Sequence, residues 1–370
     1  MIARRALLAL AAAAATARAQ TVPSVPAVAP RALAFPRDFG AHPDARIEWW
    51  YATGWLQAAD APPGTPAFGF QVTFFRSRTG LALGLTSRFA ARQLLFAHAA
   101  VTDLADRRLV HAERIARWNG DEAAPRAAVS LADTRVALGG WHFERSPAVG
   151  GSVYRAAMAD DPAGFGCRLA LATTQPLLLQ GEAGFSRKGP NPAQASHYYS
   201  QPQLAVSGEL RLGGRTQAVR GSAWLDHEWS DSLLDAQAVG WDWIGINLDD
   251  GSALTAFRLR RADGSALWAG GSHRAPGGAT RVFEPDAVRF VPGRRWTSAA
   301  SRAAYPVQWT LETPLGRHSL DALLDNQELD SRASTGAFYW EGLSALRNER
   351  GQRIGLGYLE MTGYASRLHL

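Results

Sequence analysis

The sequence has 370 residues, too many for one small module, and at roughly 150 residues per domain it predicts two domains. With 46% hydrophobic and 19% charged residues it cannot be a disordered chain, and its single cysteine excludes internal disulfides and cysteine-based zinc sites. The formal charge of +6 falls to +3 without three N-terminal arginines, and the other arginines are scattered, so we expect no nucleic-acid partner.

The N-terminus has the pattern of an export signal. Arg4 and Arg5 precede an apolar stretch over residues 6–15, and residues 17–19 form a small-residue cleavage site. We therefore expect residues 1–19 to be a signal peptide and the mature chain to be periplasmic or secreted, by the general secretory or the twin-arginine route. Residues 20–34, rich in Pro, Val and Ala, are expected to form an extended leader.

Beyond the leader, the strand signals are those of an antiparallel β protein. Apolar residues alternate with period two in residues 68–74, 81–85 and 357–364. Residues 241–248 and 253–259 flank an Asp-Gly turn and predict a hairpin. Helical patterns are limited to short segments, and residues 232–238 could form one helical turn. Strands do not alternate with helices as in a parallel βαβ fold. The predicted fold class is all-β, as in sandwiches and barrels.

The domain boundary is placed near residue 220. This gives an N-terminal domain over residues 35–220 and a C-terminal domain over residues 221–370. A stretch rich in Pro and Gly, residues 176–202, predicts a long ordered loop inside the first domain. The chain has no G-x-S-x-G, H-E-x-x-H, P-loop or G-x-G-x-x-G motif, which removes the common hydrolase, zinc-protease and nucleotide-binding interpretations.

Carboxylates stand beside aromatic residues in several clusters. The clusters are Glu48-Trp49-Trp50-Tyr51, Trp224-Leu225-Asp226-His227-Glu228-Trp229, Trp241-Asp242-Trp243 and Tyr339-Trp340-Glu341. On a strand, Asp226 and Glu228 share one face, and His227 and Trp229 share the other. In the closing strand, one predicted face carries Tyr358, Glu360, Thr362 and Tyr364. Inward-pointing aromatics of this kind can form a ligand cavity in a closed barrel.

The clusters allow several interpretations. Asp226-His227-Glu228 suggests a metal site, but strand neighbours point apart and the sequence has no second histidine at close spacing to His227, so we expect no metal. Ordinary core aromatics with hydrogen-bonded carboxylates explain any single cluster equally well. His98 fits a satisfied core or rim histidine better than a catalyst. Lys188 is the sole lysine, and the other permanently basic residues are arginine. Either its compact point charge is needed at this position, or it has persisted there by chance.

A functional interpretation is also coherent. A carboxyl group packed against tryptophan is desolvated, so its pKa rises and it can act as a general acid. Aromatic faces can stabilise a cation. Together they suit protonation of a C=C bond, and they equally suit passive binding of an apolar ligand.

The motifs in their order resemble the AttH-type, carotenoid 1,2-hydratase-like family of lipocalin-like proteins. They are residues 48–54, 68–76, 97–103, 185–189, 196–200, 224–229, 240–243, 339–342 and 357–364, within a match over about residues 35–365. The resemblance implies two tandem lipocalin-like, calycin-type β-barrels. Some members of the family hydrate terminal double bonds of acyclic carotenoids without a cofactor, and many bacterial members are exported or encoded beside ABC permeases.

The resemblance also suggests roles for individual residues. His227 and Trp229 look like the histidine and tryptophan that the hydratases use. The Asp and Tyr that those enzymes carry on the strand after the Trp-Asp-Trp hairpin are missing from residues 255–259, so a replacement acid would come from Asp226, Glu228, Asp242 or Glu360. Residues expected to contact a ligand are Glu48, Trp49, Trp50, Tyr51, His98, Lys188, Tyr198, Tyr199, Trp241, Trp243, Trp340, Glu341, Tyr358 and Tyr364.

Two functions remain open at this point. The first is a cofactor-free hydro-lyase that binds an apolar isoprenoid- or lipid-like molecule and hydrates a C=C bond by acid catalysis. The alternative is a non-catalytic periplasmic lipid-binding protein that works with an ABC permease, with peripheral membrane contact as a further option.

Overall fold

The computed structural model describes residues 28–81, 84–85, 87, 89–232 and 234–368. The predicted signal peptide and the first part of the leader lie outside the described residues, and residues 28–34 have no regular secondary structure. Within the described part, two short 3₁₀ helices occur, Arg37–Phe39 and Pro285–Ala287. None of the described helices is long and apolar enough to cross a membrane.

The first sheet is built from the strands that precede residue 231. They are β1 (Ile47–Ala58), β2 (Phe68–Arg78), β3 (Gln93–Asp103), β4 (Arg108–Trp118), β5 (Ala127–Val129), β6 (Arg135–Leu138), β7 (Trp141–Ala148), β8 (Gly151–Asp160), β9 (Phe165–Ala172), β10 (Leu178–Leu179), β11 (Phe185–Arg187), β12 (Ala195–Leu212) and β13 (Arg215–Ser230). Their antiparallel order is β4-β3-β2-β1-β13-β12-β9-β8-β7-β6-β5, and β10 and β11 pair with the first half of β12.

The second sheet follows β13. Its strands, with one separate hairpin formed by β19 and β20, are β14 (Ala238–Leu248), β15 (Ala253–Arg261), β16 (Ala266–Arg274), β17 (Thr280–Phe283), β18 (Arg289–Pro292), β19 (Arg295–Thr297), β20 (Ala304–Pro306), β21 (Gln308–Thr313), β22 (Gly316–Ala322), β23 (Glu328–Ser331), β24 (Ala337–Arg347) and β25 (Arg353–Met361). Their order is β17-β16-β15-β14-β25-β24-β22-β21-β18, with β23 on β24.

Each sheet curls around its own hydrophobic core, because alternate side chains of its strands are apolar. The first sheet is a nearly closed antiparallel barrel, and its two end strands β4 and β5 lie close together. Trp50, Phe74 and Trp141 are among the fully buried residues of its core. The second core contains Trp309 and Trp340. A third cluster lies between the two sheets, so the sheets pack against each other.

Most of the expected strands are confirmed. Residues 68–74 lie in β2, and the hairpin predicted at the Asp-Gly turn is β14 and β15, where Gly251 has the left-handed φ of 85° that favours glycine. The fold class is all-β with lipocalin-like neighbours, as expected.

Three local expectations are wrong. Leu81, Gly84 and Leu85 are not in a strand, because they belong to the connection between β2 and β3, where Leu81 and Leu85 are exposed; Ala82 and Leu83 lie outside the described residues. The described part of residues 232–238 contains no helical turn. The loop expected over residues 176–202 contains β10, β11 and the start of β12, because the long strand β12 offers them free backbone partners.

The chain crosses from the first sheet to the second after residue 230, further along than the expected boundary at residue 220. Strand β13 continues through that position and pairs with β1 up to Ser230, and the second sheet begins with β14 at Ala238. The division into two domains remains a prediction.

Candidate functional site

A cavity of about 290 Å³ lies between the two sheets. Its walls are mostly alternate residues of β1, β3, β12 and β13 from the first sheet and of β14, β15, β24 and β25 from the second, together with residues of β2 and of the connections between strands. The lining residues are Ile47, Trp49, Tyr51, Phe75, Arg76, Ser77, Phe96, His98, Lys188, Tyr198, Asp226, Glu228, Trp241, Trp243, Phe257, Leu259, Ser334, Thr335, Ala337, Tyr339, Glu341, Glu360, Thr362 and Leu368. Carboxyl groups thus share a mostly aromatic enclosure.

Strand alternation explains why these residues converge. In the first sheet, Trp49 is paired with Glu228 and Tyr51 with Asp226, so these four side chains project from the same face of β1 and β13. Their neighbours along the strands project into the first barrel instead. The predicted separation of Asp226 and Glu228 from His227 is therefore confirmed.

Two glutamates meet on the second sheet. Glu341 on β24 is directly opposite Glu360 on β25, and the next residue in the row is Trp243 on β14. Burial raises the pKa of Glu341 well above its usual range, and the charge of Glu360 raises it further. Burial likewise raises the pKa of Glu360. The pair therefore retains at least one proton at neutral pH, because two adjacent carboxylates in a dry site repel each other.

Asp226 is a third buried carboxyl group with a raised pKa. Burial raises its pKa to about 7, although hydrogen bonds from Ser200, Tyr198 and Trp224 oppose the shift. The Tyr198 hydroxyl donates to Oδ2 at 2.7 Å, and Trp224 Nε1 donates to Oδ1 at 2.6 Å. These partners fix the orientation of the carboxyl group in the cavity wall.

The fourth carboxyl group, Glu228, is paired with a cation. Lys188 Nζ lies 2.9 Å from Glu228 Oε1, and both side chains are almost completely buried. The other basic residue of the described lining, Arg76, directs its guanidinium to Glu48 on the far side of the sheet, at 2.8 Å. No lysine or arginine of the described lining is therefore left to pair with Glu341 or Glu360.

A hydrogen-bonded chain leads from the cavity towards the surface. Tyr339 Oη lies 2.8 Å from His98 Nδ1, and His98 Nε2 lies 2.8 Å from Ser334 Oγ. The Ser334 hydroxyl donates to the partly exposed Glu113. Burial lowers the pKa of His98 to about 3, so its ring is neutral and can accept at one nitrogen while it donates at the other. His98 thus lines the cavity as a hydrogen-bonded histidine.

The opposite face of β1 and β13 carries a second polar cluster. Glu48 Oε1 accepts from His42 Nδ1 at 2.8 Å and from His227 Nε2 at 2.9 Å. Burial alone would raise the pKa of Glu48, but the Arg76 guanidinium and both histidines hold it well below its usual range. The ring of His42 is stacked on Trp229 with centroids 3.6 Å apart. The cluster attaches the segment before β1 to the barrel.

This cluster also contains the group of residues best arranged to bind a metal within the described chain. His42, Glu48 and His227 offer ligand atoms within 4.8 Å of one another. Each histidine has a second partner, Asp38 at 3.0 Å for His42 and Tyr199 at 3.0 Å for His227. The ligand atoms are hydrogen-bonded directly to each other, so a metal ion would have to displace these bonds.

Three further predicted residues lie on the side of the second sheet that packs against its own hydrophobic core. Asp242 Oδ2 accepts from Arg258 Nε at 2.7 Å, and Tyr364 donates to Asp242 Oδ1 at 2.8 Å. Trp340 is fully buried there, and its Nε1 donates to the carbonyl oxygen of Asp325 at 2.7 Å. Tyr364 leaves the face expected for it because β25 ends at Met361.

The predicted site residues therefore separate into three locations. Those that line the cavity are Asp226, Glu228, Glu360, Trp49, Tyr51, His98, Lys188, Tyr198, Trp241, Trp243 and Glu341. Tyr358 is buried beside them with Tyr51 and Trp243. His227, Trp229, Glu48, Trp50 and Tyr199 lie on the barrel side of the first sheet. Asp242, Trp340 and Tyr364 lie on the core side of the second sheet.

Several lining residues escaped the sequence analysis, among them Phe75, Phe96, Phe257 and Ser334. That Glu341 and Glu360 lie opposite each other was also not predicted from the sequence. A signal for that pair exists, since a turn at residues 348–352 lies midway between them and an antiparallel hairpin would set them opposite each other.

Comparison with known proteins identifies relatives over most of the chain. The AttH-like family model matches residues 26–364. A crystal structure of an AttH candidate from Nitrosomonas europaea is 48% identical, with a TM-score of 0.81, over 92% of this chain and 99% of that chain. A search of curated proteins found no match to this sequence.

A more distant structural neighbour is kievitone hydratase from Nectria haematococca. It is 16% identical, with a TM-score of 0.65, over 86% of this chain and 89% of that chain. At this identity the likeness concerns the fold, which is lipocalin-like in both.

Proposed function

Because the chain belongs to the AttH-like family, we propose that its inter-sheet cavity binds an apolar unsaturated ligand and hydrates a C=C bond by acid catalysis. The observation that supports this most is the Glu341–Glu360 pair, which holds a proton inside an aromatic enclosure. A carboxyl group that keeps its proton at neutral pH is available as a general acid towards a bound alkene, and the surrounding rings can stabilise the cation that forms. The hydratase name of the Nectria haematococca neighbour agrees with this reaction class.

The proposed reaction is balanced without a cofactor. Glu360 transfers its proton to one alkene carbon, and the π electrons of the double bond form the new C–H bond. The other carbon becomes cationic beside Trp243 and Trp241, whose ring faces stabilise positive charge. Water then forms a C–O bond with that carbon and returns a proton to the Glu360 carboxylate. The sum is alkene plus water to alcohol.

The test uses small isoprenoids in ¹⁸O-labelled water. We expect the purified mature protein to convert citronellic acid, citronellol or 2,6-dimethyloct-2-ene to the tertiary alcohol, detected by mass spectrometry as addition of labelled water. Glu360→Gln keeps the shape of the side chain but removes the proton, so hydration should fall about 100-fold or more. Glu312→Gln, at an exposed carboxyl group, is the matched control. Equal rates in wild type and Glu360→Gln would contradict the proposed acid.

A second candidate function is a non-catalytic carrier. A polar depression lined in part by Asp231, Asp235 and Arg367 shares Ile47 and Leu368 with the cavity wall. An apolar cavity with a polar mouth is the arrangement expected of a lipid carrier. Under this alternative the exported protein would pass its ligand to an ABC permease.

Native mass spectrometry separates the two functions. The mature protein should be isolated from its own periplasm and its bound molecule extracted. A terpenoid or polyene would favour the hydro-lyase, whereas a phospholipid or fatty acid held without conversion would favour the carrier.

A further inference from the structure

We propose that Lys188 anchors an oxygen atom of the ligand, and that the ligand is an unsaturated molecule with a hydrogen-bond-accepting oxygen at one end. The inference rests on the proposed function only in taking the inter-sheet cavity as the ligand site. It narrows the ligand from an apolar molecule in general to an oxygenated one.

The ammonium group of Lys188 lies between aromatic rings of the two sheets. Lys188 Nζ lies 4.6 Å from the ring centroid of Tyr198, on the first sheet, and 4.5 Å from that of Phe257, on the second. Its ion-pair partner is Glu228 Oε1, at 2.9 Å, and an ammonium group has three N–H donors. The ring faces are weaker partners for a cation than an oxygen acceptor. A ligand oxygen that reaches Nζ would therefore gain a charge-assisted hydrogen bond.

The presence of lysine rather than arginine at position 188 also indicates a second partner for the ammonium group. If ion pairing with Glu228 were the whole role of position 188, arginine would perform it better, because its planar guanidinium binds a carboxylate through two hydrogen bonds. Lys188 is the sole lysine in a sequence that uses arginine at its other permanently basic positions. A lysine at this position supplies a point charge with donors left over for another partner.

The position of Lys188 relative to the acidic pair supports the proposal as well. Lys188 and Glu360 line the same mostly aromatic cavity. A ligand with an oxygen at one end can therefore place that oxygen at Lys188 while its double bond reaches Glu360.

The three ten-carbon probes named above test the proposal directly, since they share one double bond and differ in the head group. Isothermal titration calorimetry at neutral pH should give citronellic acid an affinity at least about tenfold higher than that of 2,6-dimethyloct-2-ene, with citronellol between them. Equal or tighter binding of the hydrocarbon, or no binding of any of the three, would overturn the proposal.

Variants of Lys188 and Glu228 test whether the preference for citronellic acid over the hydrocarbon depends on Lys188. Lys188→Met keeps the stem of the side chain and should abolish the preference for the acid while it leaves hydrocarbon affinity within about twofold. The double variant Lys188→Met/Glu228→Gln should behave in the same way without leaving an unpaired carboxylate. Glu228→Gln alone frees the ammonium and should strengthen binding of the acid. Survival of the acid preference in both lysine variants would refute the role of Lys188.

The outcomes are distinguishable from those of the proposed function. A probe that binds with the expected head-group preference but is never hydrated supports Lys188 as the anchor and contradicts acid catalysis. Hydration with no head-group preference supports the acid catalyst and overturns the anchor.

Discussion

At the scale of single residues, neighbouring side chains decide the charge state of each buried carboxyl group. Glu48 is ionised because Arg76 and two histidines face it, and Glu228 is paired with Lys188. Glu341 and Glu360 face each other, with burial and mutual repulsion raising the pKa of the former. The same residue type is therefore an ion-paired anion at Glu48 and Glu228 on the first sheet and retains a proton in the Glu341–Glu360 pair on the second sheet.

The raised pKa of Asp226 predicts that the free energy of unfolding falls as pH rises from 5 to 7. In this range the folded protein keeps a proton that the unfolded chain, with an Asp pKa of about 4, has already released. With a folded-state pKa of about 7, this group accounts for a loss of up to about 1.4 kcal/mol per pH unit. Urea unfolding of wild type and Asp226→Asn should show a flatter slope in the variant.

The pH dependence of the free energy of unfolding must be compared as the difference between wild type and Asp226→Asn, because other groups also titrate. Burial lowers the pKa of His227 to about 4, so its contribution to stability has the opposite sign and is lost as pH falls below about 6.5. Asp60→Asn, at an exposed position, is the control and should keep the wild-type slope. If Asp226→Asn also keeps it, the carboxyl group of Asp226 is ionised throughout this range.

At the scale of secondary structure, strand β13 carries two sites because a strand has two faces. Asp226 and Glu228 project into the cavity, whereas His227 and Trp229 project towards the segment before β1. The resemblance to the hydratases directs attention to His227 and Trp229. The geometry here instead places Asp226 and Glu228 in the cavity wall, where a ligand could meet them.

The cluster around Glu48 should act on stability. Glu48→Ala removes a carboxylate that is fully buried against Arg76 and His227, and it leaves the guanidinium without its ion-pair partner. We expect the free energy of unfolding to fall by about 3–5 kcal/mol, the usual effect of breaking a buried ion pair. Urea denaturation followed by circular dichroism measures the change.

A surface pair provides the contrast for this variant. Glu312 pairs with Arg317 in an exposed setting, so Glu312→Ala should leave the free energy of unfolding essentially unchanged. A comparable loss in both variants would mean that the Glu48 cluster contributes no more than an ordinary surface ion pair.

At the scale of the whole molecule, the cavity exists only because the two sheets dock. Gln71 Nε2 donates to Tyr339 Oη at 3.0 Å, and Asn247 Nδ2 donates to the carbonyl oxygen of Ala223 at 2.9 Å. Both hydrogen bonds cross from one sheet to the other. The acidic pair and the Lys188–Glu228 pair come from opposite sides of the same junction, so their arrangement depends on that contact.

Gly69 tests the docking of the sheets. A Cβ atom at this position of β2 would lie 2.7 Å from Tyr358 Oη and 3.1 Å from Leu343 Cβ on the second sheet. Gly69→Val should therefore force the sheets apart and lower the free energy of unfolding by about 1–3 kcal/mol. It should also weaken citronellic acid binding, measured by calorimetry.

The matched control is Ala159→Val, at an exposed position of β8 remote from the junction. It should change neither stability nor ligand affinity appreciably. Unchanged affinity in Gly69→Val would mean that the ligand site does not depend on close contact between the sheets.

The sequence by itself determined the all-β class, the strand faces of β1 and β13, and the hairpin formed by β14 and β15. Each depends on period-two alternation or on turn residues, which are local properties. Period-two alternation is a misleading strand signal at Leu81, Gly84 and Leu85, because no strand partner accompanies it there. Strands β10 and β11 were not predicted, because their pairing with β12 is a non-local contact.

Only the tertiary structure decided which acidic residues share a site. Asp242 and Glu360 look equivalent in the sequence, each beside a bulky aromatic or apolar neighbour. On the core side of the second sheet Asp242 is paired with Arg258, whereas at the junction of the two sheets Glu360 lies opposite Glu341. Proximity of this kind arises from the packing of two sheets, and a carboxyl group becomes an acid or an anion according to what that packing sets beside it.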